Sequence, residues 1–236
     1  MAEEKQGNPA EEEETTLKEF AQLNEQRAST YSFLARLYRK EIDQKLLESL
    51  HDTHYPVFTH NKDIDEGYRL IATYLSNLWD DSLTELSIDF THVFLGGGIN
   101  AFSAAYPYES VYTSEKRLLM QGARDEVLAI YRANGLDKQD SWKEGEDHIS
   151  LELEFEQIMA LRTAEKLKAG YENTAVQLIK TQKNFLDDHL RAWVPMMTAD
   201  MKRLARTDMY RGLAYLTDGF LKMDQELLTD SLGEKR

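Results

Sequence analysis

Apolar residues recur at helical spacing along almost the whole chain. Leu17, Phe20, Leu23, Tyr31, Leu34, Leu37 and Tyr38 predict a long amphipathic helix from Thr15 to about Lys40. A shorter helix follows around Ile42–Leu50, and the stretch HDTHYPVFTHN, broken by Pro56, reads as a loop. Ile64, Tyr68, Ile71, Tyr74, Leu75 and Leu78 mark the next helix. Leu83, Leu86, Phe90, Val93 and Phe94 mark another, closed by Gly96-Gly97-Gly98. Asn100–Ser110 interrupts the pattern with an apolar, aromatic run, unusual for a solvated loop and suited to binding or to covering a groove. Helix is expected again over Val111–Ala133, followed by a polar linker from Asn134-Gly135 to Gly145. Later helices are predicted around Ala175–Leu190, Met197–Ala205 and Tyr210–Leu228, with a break at Trp193-Val194-Pro195.

No β-alternating run and no internal repeat interrupts this pattern, which defines an all-α protein. The expected architecture is one multi-helix, bundle-like domain over 15–228, with a hinge between two helical halves near 135–146. Residues 1–14 are acidic and poor in apolar groups, the composition of a disordered tail, and 229–236 read as a C-terminal tail.

The stretch Glu144–Phe155, EGEDHISLELEF, organises the rest. Gly145 can supply a tight turn, and Glu146 or Asp147 can cap the helix that follows. At 100° per residue His148, Leu151, Phe155, Ile158 and Arg162 share one sector, while Ile149, Leu153 and Ala160 form a second apolar one. A helix apolar on two sides is a central one, packed from more than one direction. His148 at its start fits a capped, hydrogen-bonded structural residue as well as a ligand or a base.

Composition narrows the function. Hydrophobic residues are 42%, charged residues 30% and Pro only 4, values that fit a helical protein with a real core. No apolar run approaches the ~20 residues of a membrane span, and no signal-peptide pattern follows Met1, so a cytoplasmic protein without stable membrane insertion is expected. With no cysteine, disulfides, thiolate metal sites and cysteine nucleophiles are excluded. A net charge of −14 disfavours nucleic acid and anionic lipid and favours basic partners, such as an arginine-bearing peptide.

Catalytic and metal motifs are weak. Glu48-x-x-His51 has the spacing of di-iron bundles, but its nearest companion is Asp89-x-x-His92, and His51, His54 and His60 lie in the least regular part of the chain. No H-E-x-x-H, P-loop or G-x-S-x-G is present. An acid–base or metal-dependent enzyme using His148, Asp147 and Glu152 is the chemical alternative, but no nucleophile or oxyanion site accompanies them. Binding has more support. Phe90, Phe94, Phe102, Tyr106, Tyr108 and Tyr112 supply aromatic surface, and 144–148 supplies carboxylates at a groove rim. Phe90 and Phe94, in phase on one helix, fit a core equally well; Tyr106-Pro107-Tyr108 fits it less readily.

At these residues the chain resembles the TorD/DmsD family of redox-enzyme maturation chaperones. Phe90-x-x-Val93-Phe94 before Gly96 is similar to the family's aromatic-x-x-Leu-Phe-x-Gly pattern. Pro107-Tyr108-Glu109-Ser110-Val111-Tyr112 is similar to its P-x-E-S-V-Y segment, and Glu144-Gly145-Glu146-Asp147-His148 to its E-P-x-D-H signature. Gly145 stands where the family usually has Pro, Val93 where it has Leu, and Tyr108 where some members have Trp. The resemblance implies a non-enzymatic chaperone, and no cofactor is expected. The polar linker at 135–146 leaves open a monomer or, by exchange of halves between protomers, a domain-swapped homodimer. It would bind the twin-arginine signal peptide and the apo catalytic subunit of a molybdoenzyme before export. A nitrate-reductase-type assembly chaperone for a non-exported enzyme is the related alternative. Carried over by position, Phe90, Val93, Phe94, Pro107, Tyr108, Ser110, Glu144, Asp147 and His148 would form the signal-peptide site. Asp147 and Glu144 would attract the arginines, His148 would hydrogen-bond the peptide, and the aromatics would hold its apolar part.

Overall fold

The computed structural model describes residues 9–96, 104–115, 118–119 and 122–233. Its helices are α1 (Pro9–Arg39), α2 (Gln44–His51), α3 (Lys62–Leu75), α4 (Ser82–Phe90), α5 (Glu109–Thr113), α6 (Gly122–Ala133), α7 (Ile149–Lys168), α8 (Glu172–Phe185), α9 (Arg191–Leu204) and α10 (Asp208–Ser231). One π-turn, Thr91–Leu95, extends α4, and another, Leu186–Leu190, joins α8 to α9. Among the described residues no strand forms, and no helix is long and apolar enough to cross a membrane.

The all-α expectation holds, and α7 is the central helix: it packs most extensively on α1 and then on α8, while α10 packs on α3 and α9. Ile149, Leu153 and Ala160 are fully buried on one side of α7, and Leu151 and Phe155 are buried on the other. The main apolar core runs from Tyr31 to Leu228, with a small second cluster of Ala21, Ala164, Leu167 and Ala175, so both sides of the 134–145 linker belong to one packed domain. Local chemistry sets several helix starts: Asp43 accepts from the Leu46 N–H, Asn61 from Asp63 and Ile64, and Thr207 from Tyr210. Where α3 crosses α10 the backbones nearly touch. A Cβ on Gly212 would lie 2.8 Å from the Gly67 carbonyl oxygen, and one on Gly219 would lie 2.8 Å from the Ile64 nitrogen.

Several boundaries differ from expectation. α1 begins at Pro9, so residues 9–14 are helical rather than tail; proline is well tolerated in a first turn, where its missing N–H has no intrahelical partner. Helix does not run unbroken over 111–133. α5 stops at Thr113, Leu118 and Leu119 are non-helical and about half exposed, and α6 starts at Gly122. Trp193-Val194-Pro195 is no break: Pro195 lies inside α9, just after the 186–190 π-turn. At the C-terminal end α10 continues through Ser231, into the expected tail. Gly97, Gly98 and Phe102 lie outside the described residues.

Candidate peptide-binding site

The aromatic segment 104–110 and the 144–149 turn, far apart in sequence, lie side by side. An isolated antiparallel bridge pairs Tyr108 with His148: the Glu109 N–H donates to the Asp147 carbonyl at 3.0 Å, and the Ile149 N–H to the Pro107 carbonyl at 2.9 Å. Two motifs with no regular structure of their own thus satisfy each other's backbone groups at the entrance to α7.

The residues of the turn divide the work differently from the expected pattern. His148 is itself the N-cap of α7, its Nδ1 accepting from the Ser150 N–H at 3.1 Å with the Ser150 hydroxyl 2.9 Å away. Asp147 instead serves α5: its fully buried carboxylate accepts from the Ser110 N–H at 3.0 Å. Glu146 turns toward α6 and the linker, pairing with Arg124 and, at 3.0 Å, with Lys138. Burial alone would push Glu146 up, but these two cations hold it below its ordinary value. Gly145 is needed for space and not for its backbone angles, since a Cβ there would stand 2.7 Å from Asp147 Oδ1.

His148 is buried and flanked edge-on by two rings, Tyr108 at 5.0 Å and Trp142 at 5.4 Å. Burial, together with the nearby Arg39 guanidinium, lowers its pKa to about 3, so at neutral pH it is an uncharged cap. With Nδ1 occupied and its basicity depressed, His148 is poorly suited to act as a general base. Among the described residues no group of three His, Asp or Glu side chains can hold a metal. Glu152 does not complete a catalytic set either. It is fully buried, accepts from the Trp193 indole N–H at 3.0 Å, and is pushed well above the ordinary carboxyl range by burial and by the Glu109 and Asp147 carboxylates. The enzymatic alternative built on Asp147, His148 and Glu152 is therefore set aside.

Other candidate residues divide into surface and frame. Tyr108 is half-buried and its hydroxyl donates to Glu144, which is exposed. Pro107 and Ser110 are buried in the bridge region. Phe90, Val93 and Phe94 are core: Phe94 meets Tyr38 at 5.7 Å and Tyr210 at 5.9 Å, and the Val93 carbonyl accepts from the Ala105 N–H at 2.7 Å. Val93 and Phe94 reach an outside ligand only if this packing opens, and Val93 supports the 104–110 segment from behind, whereas the edge of Phe90 lines a separate groove beside Lys40–Asp43.

Next to the bridge lies a cleft of about 170 Å³. Its floor is Leu151, Phe155 and Ile158, the same helical sector as His148, with Tyr131 beside them. Linker residues Leu136, Gln139 and Trp142 roof it, and Arg39, Asp137, Lys138 and Glu154 supply charge at its rim. The linker is tied down by Lys138 Nζ on the Glu144 carbonyl at 2.7 Å and by Arg162 on the Asn134 carbonyl at 2.8 Å. Trp142, Glu154 and Arg39 are members of this site that motif reasoning did not single out. Only the spacing of Glu154, three residues after Leu151 and four before Ile158, hinted at its position.

An all-helical fold whose polar centre is spent on capping, beside a roofed apolar cleft with a charged rim, defines a binding protein. The nitrate reductase delta subunit description matches residues 61–199, and the chain belongs to that family, the TorD family of redox-enzyme maturation chaperones. It is 28% identical over 224 residues to the chaperone protein TorD of Vibrio parahaemolyticus, covering 92% of this chain and 100% of that one. To the TorD chaperone of Aliivibrio salmonicida it is 26% identical over 219 residues, covering 90% and 99%. To that of Photobacterium profundum it is 26% identical over 226 residues, covering 93% and 100%. The family is one of chaperones, and the chain is not an enzyme.

Proposed function

We propose that this chain is a cytoplasmic chaperone that binds the twin-arginine signal peptide and the apo form of a molybdopterin-containing oxidoreductase, assisting cofactor insertion and proofreading before export. The observation that carries this reading is the cleft over Leu151, Phe155 and Ile158, with Asp137 and Glu154 beside Arg39 and Lys138 at its rim, on a chain of net charge −14 that also presents the Tyr108–Glu144 pair. A leader with two arginines and an apolar stretch complements that surface in charge and in hydrophobicity. Tyr108 and Glu144 are the contact residues of this proposal. Pro107, Ser110, Asp147 and His148 hold their backbone in place, and Phe90, Val93 and Phe94 pack behind them. Exchange of halves at the 135–146 linker would give a homodimer without any new interface.

Calorimetry with twin-arginine leader peptides of molybdenum enzymes tests the reading, and absence of heat and of saturation with all of them ends it. Tyr108→Ala should weaken binding by roughly 1–2 kcal/mol as an anchor residue; an unchanged titration removes Tyr108 from the site. The family description favours one second reading, an assembly chaperone for a nitrate-reductase-type enzyme that is not exported. Capture of the natural client and a test of whether it crosses the membrane separates the two.

A further inference from the structure

We propose that Trp142 and Glu154 form an arginine subsite at the mouth of the cleft, filled in the free chaperone by the chain's own Arg39. The identity of the incoming arginine, that of the client's leader, rests on the reading above. Arg39 ends α1, and its guanidinium carbon sits 4.9 Å from the centre of the Trp142 ring while one terminal nitrogen lies 2.8 Å from Glu154 Oε1. A planar cation lying on an indole face with its N–H groups on a carboxylate is the arrangement by which proteins recognise arginine. Trp142 is also steadied by the edge-on contact with His148. Lys138, the other cation at the rim, is committed to Glu146 and to the Glu144 carbonyl. Among the described residues Arg39 is therefore the one ion-pair partner of Glu154.

This occupant is held weakly. Arg39 and Glu154 are each about a third exposed, at 38% and 32%, and a single guanidinium nitrogen makes the bond. Displaced, Arg39 has somewhere to go, because it also lines a second groove with Glu41, whose carboxylate is bonded to the neutral Ser87 hydroxyl. Exchanging one guanidinium for another leaves the charge of the subsite unchanged. The exchange thus becomes favourable only when the incoming arginine brings apolar residues for Leu151, Phe155 and Ile158 to cover. Arg39 therefore lowers the affinity for bare cations and keeps selectivity for a leader.

The test titrates N-acetyl-argininamide and a twin-arginine leader peptide into wild-type protein, Arg39→Gln and Arg39→Gln/Glu154→Gln, following the Trp142 indole N–H resonance. Arg39→Gln should show a saturable shift with N-acetyl-argininamide that is absent from the wild type and from the double variant. It should also bind the leader roughly fivefold more tightly than wild type, the combined size of a partly exposed ion pair and a cation–π contact. A missing shift in Arg39→Gln, or measurable leader binding that is no tighter than wild type, overturns the proposal. If Arg39→Gln takes N-acetyl-argininamide while no form of the protein binds any leader, the subsite stands and the leader reading falls.

Discussion

Joint replacement of Asp147 and His148 by Ala bears most directly on how this site is built. From sequence alone such a variant is expected to lose leader binding with its helical content nearly unchanged, whereas the structure gives both side chains framework roles. Removing the Asp147 carboxylate leaves the buried Ser110 N–H without its acceptor, at about 1–3 kcal/mol. Removing the imidazole takes away the N-cap of α7, about 0.5–2 kcal/mol, and ring contacts to Tyr108 and Trp142 of about 0.5–1.5 kcal/mol. Some of this is returned, because Asp147 Oδ1 is buried without a hydrogen-bond partner among the described residues. The two residues are also adjacent, so the terms do not simply add. A loss of roughly 3–4 kcal/mol is expected, a large part of a domain's usual 5–15 kcal/mol. Urea unfolding followed by circular dichroism measures it, and leader titration well below the unfolding midpoint reads binding separately. Asp147→Asn, which keeps an acceptor oxygen, should lose about 1 kcal/mol or less. A double variant within about 1 kcal/mol of wild type, with an unchanged slope, would refute the framework role.

Three further outcomes follow from buried groups and close contacts. His148 is held at a pKa of about 3, below the ordinary 6.5, so its stabilising contribution is complete above about pH 6.5 and is lost as pH falls toward 3, at up to about 1.4 kcal/mol per pH unit. His148→Asn, a good N-cap without a titrating ring, should flatten that acid limb of the Tm–pH curve; superimposable curves would contradict the burial argument. Glu156 is fully buried on α7 with neither oxygen partnered among the described residues, and burial raises its pKa well above the usual range. Its contribution is favourable below the unfolded value and is lost as pH rises, so the stability gained by Glu156→Gln should widen from pH 5 to pH 8, and a constant gap would count against it. Gly212→Ala places a methyl group 2.8 Å from the Gly67 carbonyl oxygen and 2.9 Å from Ile71 Cγ1. It should lower unfolding free energy by about 1–3 kcal/mol through overpacking, and an unchanged midpoint in denaturant would show that α3 and α10 can move apart freely.

Helical phase made much of this molecule readable. The two apolar sectors of α7 are visible as spacing alone, and the same phase sets Leu151, Phe155 and Ile158 along the floor of the cleft. The pairing of 107–109 with 147–149 was approachable because both stretches break periodicity and carry the polar and aromatic residues that such breaks seldom waste. Glu152 and Glu156 were not legible: counted as polar positions they belong outside, yet both are fully buried. Their neighbours arrive from distant elements, Trp193 on α9 for Glu152, and for Glu156 the Arg27–Asp224 pair that links α1 to α10. Long-range partners of this kind leave no local pattern. Pro195 misled because the buried Trp193, Val194 and Met197 keep α9 helical through a residue that local chemistry reads as a break. The Arg39–Trp142–Glu154 group lies on a helix end, a linker and a helix face, with no spacing rule to connect them.

The pairing of α1 with α7 also governs the order in which the molecule can assemble. α1 is made before the elements it packs on: its principal partner begins at Ile149, and its second anchor, Asp224, comes later still. At about 5–20 residues per second, translation leaves the greasy flank of α1 uncovered for on the order of ten seconds. A nascent copy therefore spends its early life as an unaccompanied amphipathic rod, in need of the same kind of shelter that the finished protein gives to others.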